Sequence, residues 1–538
     1  MKTFESDVCI IGGGISAALL SQKLSELAPD ISITVVEAGQ KIFDFENRMS
    51  YRQRMLDYGE NPWPGDFIED QAAENIISRT MAVGGSALHW GGVTNRFSEE
   101  DLSLQSRYGL AVDWPLSWQE LEPFICEAEA RIGVAAEPTV FPEDQPSRPY
   151  PMPAMPLTHN LKQLQTWAEK SGIPFGPTPQ AKNTTAYDGR AVCQRCDTCR
   201  ICPTGARYSP DFTFKRLLTE RKLTLHDRTI VRRLELQDSQ NNVAVAQAVH
   251  QDRPDEPLEY RARQFVLASG YCWSSHLLLL SACSRFPTGL ANSSELVGRY
   301  MTGHPHVLAS IEMNAKTYPG MNRSHSLVSR QFFRSPSDQP YARHDLRIWE
   351  SSSGHSPRLQ NETGQLLLGD KLLQDWQHRT SRSSARIRAY YDAHPSRNST
   401  LTLNRNKLNR WGDSLPIINH RLDAAARSRE DATKSHILEI FRKLAHADDG
   451  KILSTEFHTY FDHPAGGCRM GEDPATSVCD SFGNTYDHPN LSVVGSPTLP
   501  TGGCTNGTLT FAALTLRSAE RLAKAFGKPK QPANLDST

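Results

Sequence analysis

The chain has 538 residues, too many for one compact core, so two closely packed domains are expected. Hydrophobic residues make up 38% and charged residues 22%, and a net charge of −1 leaves no electrostatic footprint for a nucleic-acid partner. No apolar run approaches the length that spans a bilayer. The start, MKTFESDVCIIGGG, carries acidic residues and runs straight into a strand, unlike an export signal, so the cytoplasm is the expected compartment.

Residues Asp7 to Ile11 read as a short apolar strand, and Gly12-Gly13-Gly14-Ile15-Ser16-Ala17 turns it into a helix bearing Leu19, Leu20, Leu24 and Leu27. The run fits G-x-G-x-x-G/A in its alanine form. Gly12 makes the tight turn, Gly14 lets backbone approach a pyrophosphate, and Ala17 allows close helix–strand packing. A second strand, Ile33 to Val36, ends in Glu37, placed to accept both hydroxyls of an adenosine ribose. A second glycine cluster, Val83-Gly84-Gly85-Ser86-Ala87-Leu88-His89-Trp90-Gly91-Gly92, offers free amides to a flavin ring or its phosphates.

Four cysteines then recur every third residue, Cys193, Cys196, Cys199 and Cys202, followed by Pro203. Thiolates this close are soft ligands converging on one point, which favours an iron–sulfur cluster. Zinc remains open, although such knots usually draw their second pair from farther along the chain, and i, i+3 disulfides close almost no loop. Arg190, Arg195, Arg200 and Arg207 surround the run, either tuning it, docking an acidic partner or lying solvated. The other seven cysteines (Cys9, Cys126, Cys272, Cys283, Cys468, Cys479, Cys504) read as reduced core thiols. Farther on, Ala385–Tyr391 and Ser399–Leu403 read as strands. The basic run Arg379 to Arg388 alternates with Ser, Ala and Ile, as an edge strand with a solvated face would. His463 follows the strand-like Phe457–Phe461, and Asn506 stands before a helix bearing Leu509, Ala512, Ala513 and Leu516.

These pieces resemble the glucose–methanol–choline (GMC) oxidoreductases: Gly12–Ala17 with Glu37-Ala38-Gly39, Val83–Gly92, Val266–Gly270, His463-Pro464-Ala465-Gly466-Gly467-Cys468-Arg469-Met470-Gly471, and Thr505-Asn506-Gly507-Thr508. They occur in the family's order over nearly the whole chain. Tyr108-Gly109, Asp113-Trp114-Pro115, Arg148–Pro153, Tyr187–Arg190 and Cys202-Pro203-Thr204-Gly205-Ala206 resemble its bacterial sugar and polyol dehydrogenases. The cysteine segment is one residue tighter than in those relatives, and Cys196 has no obvious counterpart there. A three-iron (3Fe-4S) and a four-iron (4Fe-4S) cluster therefore both stay open.

The resemblance implies an α/β fold: a discontinuous Rossmann-type FAD-binding domain, a second α+β substrate-binding domain, and a Cys-rich loop insertion. The expected segments are 1–304 (cluster loop about 185–211), 305–457 for the substrate domain, 458–527 for the returning FAD domain, and a tail from 528 to 538. It implies FAD as cofactor, held by Gly12, Gly14, Ala17, Glu37, Gly84, Gly85, Ser86, His89, Val231, Ala268, Gly495, Ser496 and Thr508. His89 would either bond covalently to the flavin or pack against it. Gly495 stands where many of the family's oxidases carry Asp. His463 would act as general base and Asn506 would orient the substrate oxygen, while His304 and His306 read as structural. The expected activity is oxidation of a CH–OH group of a sugar, polyol or related alcohol by hydride transfer to flavin N5. Electrons would leave through the cluster to a partner, a cytochrome, with a small accessory subunit also expected and periplasmic export on such a partner left open. An oxidase with structural zinc, and a redox-silent lyase, are the competing readings.

Overall fold

The computed structural model of the chain describes residues 2–54, 69–70, 80–138, 141, 144–196, 199, 201–237, 240–314, 316–318, 325–334, 340–350, 358–361, 363–422 and 424–526. The expected C-terminal tail and Arg200 lie outside them. The first strand, β1 (Lys2–Ile11), begins exposed and ends in the fully buried Val8-Cys9-Ile10-Ile11. It pairs in parallel with β2 (Ile33–Val36) on one side and with Arg253–Leu267 on the other. Burial on both faces explains why its end reads as continuous apolar sequence and not as an alternation. Between β1 and β2 runs the helix α1 (Ile15–Leu27). Its Ala17, Ala18, Leu20 and Leu24 pack on Val8, Ile10 and Val35 beneath Ala519 and Ala523 of the last helix, Thr508–Phe526. Each buried leucine there contributes roughly 1.5–3 kcal/mol. Among the described residues this sheet has seven strands, in the order Thr224–His226, β2, β1, Arg253–Leu267, Val243–His250 and Thr229–Leu236, with Leu491–Val493 added in parallel to Arg253–Leu267.

A second, antiparallel sheet of six strands runs Ile452–Ala465, Thr302–Met313, Ser383–Tyr390, Leu346–Glu350, Leu327–Ser329 and Gly176–Pro177. One face carries Val307, Ala309, Ile311, Leu346, Ile348, Ala385, Ile387 and Ala389. It is covered by Leu164 and Trp167 of the helix His159–Glu169 and by Ile437 and Phe441 of the helix Ala424–His446. The other face, one residue out of phase, carries His306, Arg347, Trp349, Arg386, Arg388 and Tyr390.

Two expectations for this region are corrected. Ser383–Tyr390 is not an edge strand: it lies between Thr302–Met313 and Leu346–Glu350, while Arg379 belongs to the helix Asp370–Ser381. The alternation of Arg with Ala and Ile records a helix-covered face against a polar interior face. Residues Thr400–Leu408 belong to a separate sheet with Ser414–Asn419 and Glu69–Asp70. The roof draws its outer strands from residues 176–177 and 452–465, so the positions 304/305 and 457/458 fall inside strands. Among the described residues no helix is long and apolar enough to cross a membrane.

Candidate active site and cysteine loop

Of the glycines at the start of α1, Gly12 and Gly13 leave no room for a side chain, while Gly14 faces open space. Gly12 has φ +109°, and a Cβ there would lie 2.7 Å from the Ala268 carbonyl oxygen. Gly14 caps α1 with no side-chain partner and no acidic residue follows in the first turn, so the helix's first amides stay available to an anion such as a pyrophosphate. The second glycine cluster closes over this point. The Gly84 amide donates to the Gly13 carbonyl at 2.8 Å, and a Cβ on Gly85 (φ +56°) would meet Gly14 Cα at 3.2 Å. Ser86 follows in the short 3-10 turn Gly85–Leu88, and His89 caps its end with its ring 6.3 Å from Tyr51. Gly495 (φ +94°) abuts Ser16 of α1, and the Gly466 amide donates to the Ser496 carbonyl at 3.0 Å. Thr508 begins the last helix, and Val231 sits half-buried on Thr229–Leu236.

Glu37 lies at the end of β2. Its Oε2 accepts the Gly13 amide at 2.6 Å and its Oε1 the Gly39 amide at 2.7 Å. Burial pushes this carboxyl up to about 7 against the opposing pull of the two amides. The glycine cradle, the open helix start and this carboxylate fit a dinucleotide's pyrophosphate and ribose.

His463 and Asn506, 43 positions apart, meet: the Asn506 Nδ2 donates to His463 Nε2 at 2.6 Å. His463 stands near the end of Ile452–Ala465, where the pairing with Thr302–Met313 is irregular, with its backbone at φ +49°. A positive φ at a non-glycine residue is strained and is maintained only by its surroundings. The surroundings here are aromatic. Tyr390 meets the His463 ring edge-on at 5.3 Å and His304 does so at 5.2 Å, while His306 stacks on His458 at 4.7 Å. His304, read as structural from the sequence, is therefore part of the wall around His463. The Asn506 Oδ1 is buried and meets no hydrogen-bond partner among the described residues.

Sequence reasoning missed Asp345. Its Oδ1 accepts the Tyr390 amide at 2.8 Å, and its Oδ2 accepts the Thr505 hydroxyl at 3.2 Å. Thr505 in turn takes a hydrogen bond from Asn95. Burial raises this carboxyl to about 6, opposed by the charge of Arg388 and the Tyr390 amide. Asp345 thus ties the roof sheet to the residue preceding Asn506. No motif marks it, because strand pairing alone brings it there.

Cys193, Cys196, Cys199 and Cys202 line one small pocket with Lys182 and Arg207. No disulfide joins them. Among the described residues, no three His, Cys, Asp or Glu side chains are grouped as a metal ion would require, and Cys196 is exposed. Burial raises the Cys193 thiol. At Cys202 burial is outweighed by hydrogen bonds from the Arg207 and Thr204 region and by the Arg207 charge, and its thiol is lowered. The loop is fastened to the second glycine cluster: the Ile201 amide donates to the Leu88 carbonyl at 3.0 Å, and Arg207 donates to the Leu88 and Trp90 carbonyls. The soft, closely spaced donor set and the two cations fit an anionic iron–sulfur cluster in chemistry.

Comparison with known proteins agrees with this geometry. The chain is 28% identical to the fructose dehydrogenase large subunit of Gluconobacter japonicus, over 97% of its length and 98% of that protein's. It is likewise 28% identical to paromamine 6'-oxidase of Streptomyces fradiae, over 96% and 91%. In fold it is similar to pyridoxine 4-oxidase from Mesorbium loti, with a TM-score of 0.63 and 20% identity over 96% of this chain and 98% of that one. The GMC oxidoreductase family matches in its N-terminal part over residues 7–306 and in its C-terminal part over residues 395–515. The chain belongs to the GMC oxidoreductase family and is an FAD-dependent oxidoreductase.

Proposed function

We propose that the protein is a dehydrogenase oxidising a CH–OH group of a sugar, polyol or related alcohol, with His463 as base and Asn506 as the group that positions the substrate oxygen. The hydrogen bond between Asn506 Nδ2 and His463 Nε2 carries this reading, because it brings the two side chains, 43 positions apart in sequence, to one point where a single substrate oxygen can meet both. When bound, FAD supplies the two-electron acceptor that takes the carbinol hydrogen as hydride. His463 Nε2, released from Asn506 as substrate enters, receives the hydroxyl proton, and the freed N–H of Asn506 holds the oxygen as negative charge develops on it. Asp345, through Thr505, keeps Asn506 in place, and Tyr390 and His304 wall off the imidazole. Replacing one general base slows such steps about 10²–10⁴-fold. We therefore expect His463→Ala to slow anaerobic flavin bleaching by an oxidisable alcohol by that range at unchanged FAD content. Bleaching at the wild-type rate removes His463 from the mechanism.

The four cysteines are proposed to hold an iron–sulfur cluster that passes electrons singly to a protein acceptor of the cytochrome kind. The support is their position: their loop is hydrogen-bonded directly to Leu88 and Trp90 of the cluster that closes over the cofactor cradle, while Cys196 faces outward.

A further inference from the structure

The interior face of the roof sheet gathers three arginines around one tryptophan. Arg347 lies opposite Arg388 and Trp349 opposite Arg386 on adjacent strands. The three guanidinium carbons stand 5.8, 6.0 and 5.9 Å from the Trp349 ring centroid for Arg347, Arg388 and Arg386 respectively. Arg388 also lies flat on Tyr390 at 3.4 Å, and Tyr390 is the ring that meets His463 edge-on. Arg388 is therefore one aromatic ring away from the proposed base.

Its hydrogen bonding is incomplete. The Arg388 Nε and Nη2 are buried and meet no acceptor among the described residues. These two nitrogens share one edge of the guanidinium, the edge that takes a carboxylate side-on with two parallel hydrogen bonds. Arg347 differs, since its Nε is occupied by the Ser326 hydroxyl at 2.8 Å. The nearby acids are already engaged. Asp345 is held by the Tyr390 amide and Thr505, Glu312 pairs with Arg382 at 2.6 Å, and Glu456 pairs with His458 at 3.2 Å. None of these acids is thus paired with the Nε–Nη2 edge of Arg388, and a buried donor edge with no acceptor is a standing demand for one.

We infer that the substrate is a hydroxy acid or sugar acid whose carboxylate is gripped by the Nε–Nη2 edge of Arg388, with its carbinol presented to His463. This rests on the dehydrogenase reading of His463 and Asn506. Trp349 and Tyr390 supply flat faces for the carbon chain, and Arg347 and Arg386 supply the surrounding positive field.

Matched pairs test it: lactate with propane-1,2-diol, glycerate with glycerol, and gluconate with glucitol, each pair differing only in carboxylate against CH2OH. With holoenzyme under anaerobic conditions, flavin bleaching gives kcat/KM for every compound. At least one acid is expected to exceed its alcohol tenfold or more, and Arg388→Gln is expected to lower that preference at least tenfold at unchanged FAD content. Arg388→Lys, which keeps the charge but lacks the fork, should fall between the two, and it gives the same readout should the glutamine variant not accumulate. Bleaching by the neutral partners or by other neutral sugars in preference to every acid overturns the inference and leaves the dehydrogenase reading intact. So does an acid preference that both variants retain. Bleaching by no compound overturns both.

Discussion

At the scale of single residues, Glu37 is where the structure adds a measurable property to a motif position. Its carboxyl is raised to about 7 because it is buried, so in the protein without FAD it ionises fully only above that pH. Ribose hydroxyls donating to it favour the ionised form, so binding and ionisation are linked. FAD affinity is expected to rise with pH up to about 7 and to level off above, and Glu37→Gln should bind about tenfold more weakly with a flat profile. Titrating apoprotein with FAD between pH 5.5 and 8.5 checks this, and a wild-type profile as flat as the variant's would remove the carboxylate from cofactor binding. The effect on apoprotein stability has the opposite sense. A raised pKa adds stability below the ordinary value near 4.5, and that contribution is lost as pH rises through about 7. Glu37, His463 and Asn506 were legible in the sequence because each stands in a short segment whose neighbours force its setting. Asp345, Tyr390 and Arg388 were not, since their roles arise only when strands distant in sequence are paired.

Among the elements, the second glycine cluster shows why Glu37-Ala38-Gly39 ends in glycine. A Cβ at Gly39 would lie 1.9 Å from the Met81 carbonyl oxygen, and the Val83 amide donates to Gln40 beside it at 3.0 Å. The strand end carrying Glu37 and the loop closing over Gly13 are thus in backbone contact. Gly39→Ala is expected to displace residues 81–85 and to reduce the flavin-to-protein absorbance ratio of the purified protein at least twofold. An unchanged ratio would show that the loop can shift without losing cofactor. The roof strand Ser383–Tyr390 marks the limit of reading elements from sequence. A polar–apolar alternation specifies two unlike faces. It does not say what the polar face meets, and here that face carries the buried Tyr390 beside His463.

Across the whole molecule, the βαβ unit at the start of the cofactor sheet was readable from motif order, and a second substrate domain was implied by the family resemblance. The interleaving of the roof with the cofactor sheet was not, because residues 176–177, 302–304 and 458–465 join it from outside the central segment. The proposed electron route is a property of this whole arrangement. Anaerobically purified protein is expected to contain about three or four irons per chain. Cys199→Ser should lose iron and electron transfer to a cytochrome acceptor, with substrate still bleaching the flavin. Iron-free protein with about one zinc per chain would instead make the cysteines a structural knot.

The Leu88 carbonyl carries a further consequence. It receives both the Ile201 amide and the Arg207 guanidinium, and with the Trp90 carbonyl, which also takes Arg207, it joins the cysteine loop to the loop over the cofactor cradle. Should the cysteines hold the proposed cluster, its loading and that of the cofactor are expected to assist each other. Whatever orders one loop lowers the entropy left to lose in ordering the other, so occupancy of either site raises the affinity of its neighbour.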